Sequence, residues 1–237
     1  MNSMTTPPHP FSVGTLLRGE LAVLRVWTAE WRPPNLLRDV ALITLGAGCF
    51  GAAIGWWRDP LQALYAGIKL PLIMLLTAAG NGLLNSMLAP LLGLRLPFRQ
   101  SFLAILTSFA IAAVIMGAMS PLAAFAIWNA PPLLDWQSNS TTHASVLLVL
   151  VVTIAFAGIA ANLRLLQLLR HLAGQRAAAW RVLLAWLAGN LFLGSQLSWI
   201  LRPFIGSPKL PVAFLRPDAF HGNFFEAVFN SAVRIFN

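Results

Sequence analysis

Residues 144–163 read ASVLLVLVVTIAFAGIAANL, 20 consecutive positions without a charged side chain. At about 1.5 Å per residue a helix of this length spans about 30 Å, the thickness of the hydrocarbon core of a bilayer. The stretch therefore reads as a transmembrane helix and decides the fold class. The composition agrees: 58% of the 237 residues are hydrophobic and 10% are charged, where soluble proteins have about half and about a quarter. Helices of one bundle share one interior, so a single transmembrane domain is expected at this length.

Four further apolar stretches flank this one. Residues 40–57 carry no charge, lie between Arg38-Asp39 and Arg58-Asp59, and place Trp56-Trp57 where an interfacial aromatic belt would be. Residues 61–92 are interrupted by Lys69 and Pro71, then by Gly80-Asn81-Gly82 and Asn85, which predicts a kinked or broken helix. Residues 102–128 are expected to bend at Pro121, and residues 182–200 form the last span. The helix quoted first is expected to continue through Arg164, Arg170 and His171 to a stop at Gly174. The expected fold is all-α: a polytopic transmembrane helix bundle of about five spans, with amphipathic surface helices near both termini. In these terms residues 1–39 are an N-terminal tail and surface helix, 40–202 the bundle, and 203–237 a proline-rich tail with a short amphipathic helix.

The two ends carry the remaining periodicity. In residues 11–31, Leu17, Leu21, Leu24, Trp27 and Trp31 recur at helical spacing, and Arg18, Arg25 and Arg32 follow at intervals of seven on another face. These three arginines are expected to meet anionic lipid headgroups, although Glu20 falls inside the apolar arc. Pro203, Pro208, Pro211 and Pro217 exclude a continuous helix and predict a surface-hugging loop. From Asn223, which has capping-box spacing with Glu226, Phe225, Phe229 and Phe236 fall on one face and are candidate partner-docking residues. Arg18, Arg25, Arg32, Arg38, Arg95, Arg99, Arg164, Arg170, Arg176 and Arg181 collect on one side of such a bundle, which predicts a cytoplasmic N-terminus. Five spans put the tail outside; a hairpin in the second stretch would bring it in.

Chemistry has few carriers here. Lys69 is a charge about 12 Å into a helix that starts at Leu61, suited to holding an anionic headgroup or substrate, or else snorkelling out or pairing with Asp59. Asn81 and Asn85 lie one turn apart beside Gly80, Gly82 and Ser86, an arrangement for interhelical packing or for a polar site. Asn190, Ser195, Gln196 and Ser198 of the last span are a candidate second wall. The candidate substrate- or lipid-binding set is thus Lys69, Asn81, Asn85, Gln196 and Arg202. The one cysteine and four dispersed histidines give no metal motif. Phosphate-loop, dinucleotide and hydrolase signatures are missing, so neither a cofactor nor an enzymatic activity is expected. With no Asp or Glu counted inside a span, a cation-coupled carrier is disfavoured. The net charge of +9 reads as orientation and headgroup contact rather than nucleic-acid binding.

The tract from Gly194 through Ser195, Arg202, Pro203 and Phe204 to Pro208, with Phe214-Leu-Arg and Gly222-Asn-Phe-Phe-Glu, resembles one found in uncharacterised multi-pass bacterial inner-membrane proteins. Lys69-Leu-Pro-Leu-Ile and Leu94-Arg-Leu-Pro-Phe-Arg-Gln are similar to further parts of that pattern. The order of a surface helix followed by about five spans also resembles Yip1-type membrane-organising proteins. Neither resemblance implies an activity. The expectation is a non-enzymatic subunit or scaffold in a bacterial-type inner membrane that organises protein partners, copies of itself or lipid. The alternative is a transporter or channel for an anionic or lipidic solute. Deleting residues 222–237 should release partners from a scaffold that tolerates Lys69→Ala, and a transporter should behave in the opposite way.

Overall fold

The computed structural model describes residues 33–93, 97–130, 140–173, 176–206 and 211–226, together with Gly14. Within them the protein is all-helical: α1 is Pro33–Gly55, α2 Pro60–Leu91, α3 Phe98–Trp128, α4 Ser140–Ala173 and α5 Arg176–Leu201. All five are long and apolar enough to cross a membrane. The proposed surface helix, with Arg18, Arg25 and Arg32, lies outside the described residues, as do Phe229 and Phe236.

The starts of the helices follow simple local chemistry. Asp59, in an extended conformation, accepts the Leu61 N–H at 2.8 Å, and Pro60 opens α2, where a missing N–H costs nothing. By the same logic the described part of α1 already runs from Pro33, so the first span's helix begins before residue 40. α4 continues to Ala173, as its arginines and Gly174 suggested.

The second stretch does not break. α2 is one helix of 32 residues with Pro71 and Pro90 inside it. Pro71 removes only one donor, and its ring lies beside Gly48 of α1, where no side chain competes for the space. Asn85 bonds the carbonyl of Asn81 one turn back, so the amide follows the helix rather than interrupting it. With α2 unbroken there is no hairpin, and five helices run in series.

α1 packs between α2 and α3; α2, α3, α4 and α5 touch in a ring. Close approach depends on small residues. A Cβ on Gly46 would collide with the Ala113 carbonyl of α3, and one on Gly51 with the Ala66 carbonyl of α2. Ala47, Ala66, Ala78, Ala104, Ala110 and Ala113 are all buried at such contacts. Leucines and isoleucines also populate the outside: Leu64, Ile68, Leu72 and Leu76 form an exposed stripe down α2. An outer surface so apolar fits a lipid surround rather than water.

Candidate functional site

Two polar clusters lie on α2, one in its second half and one near its start. In the inner cluster Asn81 and Asn85 are buried. Asn81 donates to the Trp186 carbonyl of α5 at 3.0 Å and to Asn190 Oδ1, and Asn85 donates to Asn81 Oδ1. Gly189 sits directly against Asn81 Oδ1, and Gly194 faces Thr77. The two helices therefore do face each other through these residues, and both Asn81 amide hydrogens are used in joining them. Thr77 Oγ1, Asn85 Oδ1 and Trp186 Nε1 are buried there without hydrogen-bond partners among the described residues. Gln196 lies half-buried within α5.

The outer cluster joins α2 to the tail. Lys69 is fully buried, 0% exposed, so it neither snorkels nor pairs with Asp59, which is engaged in capping. Its Nζ donates to the Pro203 carbonyl at 3.1 Å and lies 5.2 Å from the centre of the Phe214 ring. Gln62, two turns nearer the start of α2 and also 0% exposed, donates through Nε2 to Pro203 O at 3.0 Å and Phe204 O at 2.8 Å. Tyr65 meets Phe214 edge to face at 5.4 Å. The residues after α5 are thus tied down along the first turns of α2. The Arg202–Pro203 peptide is cis.

The rest of the tail is strapped to the end of α5. Arg202 lies 3.6 Å over the Trp199 ring, donates to the Trp199 carbonyl at 2.7 Å, and pairs with Asp218 at 3.1 Å. Trp199 Nε1 donates to the His221 carbonyl at 3.3 Å. Residues 211–222 form turns without a helix, as their prolines required. Asn223 Oδ1 then accepts the Glu226 N–H at 2.8 Å, the capping contact anticipated from the spacing. Phe225 stacks on Phe192 of α5 at 5.7 Å yet remains 45% exposed. Of the candidate ligand residues, Lys69 and Arg202 therefore both serve to hold the tail, while Asn81 and Asn85 belong to the separate inner cluster.

A buried acid also lies inside the bundle. Asp39, read from the sequence as a boundary charge, is 0% exposed within α1, paired with Arg38 at 2.9 Å and accepting from Thr107 of α3 at 2.8 Å. Its adjacent arginine neutralises it, which keeps the pair a packing feature. Gln62, central to the outer cluster, was not singled out from sequence. For Gln62, a glutamine inside an apolar run was the available signal. No group of His, Cys, Asp or Glu among the described residues is arranged to hold a metal.

Comparison with family models, curated proteins and solved structures finds no match to the chain. Fold and surface together define a class: a helical bundle with the architecture of a multi-pass membrane protein.

Proposed function

We propose that this protein is a non-enzymatic subunit or scaffold of a bacterial-type inner membrane, with its N-terminus cytoplasmic and its tail on the opposite side as the docking element for a protein partner. The observation that carries this reading is the use made of the buried polar groups. Lys69 and Gln62 bind main-chain carbonyls of the tail, and Asn81 binds α5. Groups expected to line a solute pathway are spent on architecture, which weighs against the transporter reading. What the assembled tail turns outward is aromatic: Phe220 is 75% exposed, and Phe224 and Phe225 are partly so. Large aromatic side chains on a braced support are the usual anchors of protein interfaces. A Yip1-like organising role would be of the same kind.

Because Lys69 holds the tail, Lys69→Ala does not separate scaffold from transporter; it should loosen the docking element as well. The decisive comparison is between the full chain and a chain ending before Gly222, both tagged and extracted from native membranes in mild detergent. A stoichiometric partner that is lost on truncation, and that cross-links to a photoreactive residue placed at Phe225, is the expected result. A solitary particle that retains a solute regardless of truncation would overturn the proposal.

A further inference from the structure

We propose that the end of the bundle where α4 gives way to α5 is a docking edge for anionic phospholipid, whose phosphates are taken by Arg170 and Arg181 around the exposed Trp180 ring. This goes beyond the scaffold reading and stands without it. α2 and α5 run antiparallel, since Gln62 meets Phe204 and Asn81 meets Trp186, so the start of α5 lies beside the end of α2. Two contacts fix the arginines there. The Arg170 guanidinium of α4 lies over the Trp180 ring of α5, 5.7 Å from its centre. Arg181, the next residue, turns to the α2 side, with Nη2 3.8 Å from the place a Cβ would take on Gly93. All three side chains are exposed, and a guanidinium held over a ring still has N–H donors for the oxygens of a phosphate.

Charge at this end of the bundle is unbalanced. α1 runs antiparallel to α2, with Gly51 against Ala66 and Gly55 against Gln62, and parallel to α3, with Asp39 against Thr107 and Gly46 against Ala113. The starts of α1 and α3 therefore lie at the same end as the start of α5. The described arginines here are Arg38, Arg99, Arg164, Arg170 and Arg181. Among the described residues the one acid at this end is Asp39, already taken by Arg38 and Thr107. Asp59 caps the start of α2, and Asp218 and Glu226 belong to the tail, all at the opposite end. The described acids thus leave Arg170 and Arg181 to an anionic partner from outside the chain, and basic edges between transmembrane helices suit anionic headgroups.

Depth and surroundings select a lipid. Residues 182–201 carry no charge, and at about 1.5 Å each they span about 30 Å, the hydrocarbon thickness, which sets Arg181 at its edge where lipid phosphates lie. Trp180 stands at the level of an interfacial aromatic belt. Beyond the arginines the surface is apolar. Leu163, Ile159 and Phe156 continue the Arg170 face of α4, and Leu184 and Leu191 the Trp180 face of α5, all of them exposed. A phospholipid seated on the arginines lays its acyl chains along these two stripes, whereas a free ion leaves them unused.

The test uses the full chain in mild detergent, titrated with phosphatidylglycerol or with zwitterionic phosphatidylcholine and read by native mass spectrometry. Phosphatidylglycerol is expected to bind in preference to phosphatidylcholine. Replacing both arginines, Arg170→Gln with Arg181→Gln, should weaken that binding about thirtyfold, the loss that two arginines near a membrane surface imply. Arg170→Lys with Arg181→Lys should retain most of it. Lys209→Gln with Arg234→Gln removes the same charge from the tail and should leave binding unchanged. Equal weakening by the tail pair, equal binding of the two lipids, or full displacement of phosphatidylglycerol by inorganic phosphate at the ionic strength of a chloride control overturns the proposal. Should the doubly substituted chain fail to accumulate, a photoreactive phosphatidylglycerol on the wild type decides. Adducts on residues 156–170 or 180–191 support the docking edge, and adducts only elsewhere overturn it.

Discussion

Asn81 illustrates how a polar side chain becomes architecture inside an apolar bundle. Both its amide hydrogens go to α5, to the Trp186 carbonyl and to Asn190. Interhelical hydrogen bonds in membranes contribute about 1 kcal/mol. Asn81→Leu is therefore expected to lower stability by about that amount, read as a shifted midpoint in detergent-denaturant unfolding. Gly46→Leu should be worse, because any side chain there meets the Ala113 carbonyl. Overpacking of this kind costs about 1 to 3 kcal/mol, and the variant should accumulate poorly in the membrane. Some of this was legible in the sequence and some was not. Lys69 was conspicuous as a charge in an apolar run, and Asn81 and Asn85 as amides among glycines. Gln62, a glutamine in an apolar run, carried a local signal that was passed over, but what it and Lys69 would meet was hidden. Gln62 and Lys69 meet Pro203 across separations of 141 and 134 residues, and such convergence has no local signature.

At the scale of elements, hydrophobic length fixed the number and placement of the helices, since a bilayer demands uninterrupted apolar runs. For α2 it left a kink or a break open at its prolines and glycines, and the helix is unbroken. In a bundle those residues are absorbed by a neighbour, here Gly48 beside Pro71 and the Phe102 ring beside Gly82. The misreading of Asp39 has the same origin, because burial depends on which helix packs where, and α3 supplies Thr107. The tail strap yields a graded prediction. The Arg202–Asp218 pair has an acid that is 58% exposed, so water screens it and it contributes at most a fraction of a kcal/mol. Asp218→Asn should increase proteolysis of the tail no more than about twofold. Trp199→Ala removes both the Arg202 stack and the bond to His221. It should accelerate cleavage about thirtyfold, consistent with losing a cation–π contact and a hydrogen bond of about 1 kcal/mol each.

For the whole molecule, the unbroken α2 makes the topology testable. With Cys49, the single cysteine, changed to alanine, Phe220→Cys should react with a membrane-impermeant thiol reagent applied from outside the inner membrane. Labelling only after the membrane is opened would place the tail with the N-terminus and argue against five crossings. The outer cluster also bears on how the chain is made. Lys69 is synthesised 134 residues before its eventual carbonyl partner. At ribosomal rates of roughly 5 to 20 residues per second, that interval is roughly 7 to 27 s. During it the second helix carries an ammonium group whose protein partner does not yet exist. A nascent chain stalled before Pro203 thus holds a charged group in its second helix without the carbonyl that receives it in the finished fold.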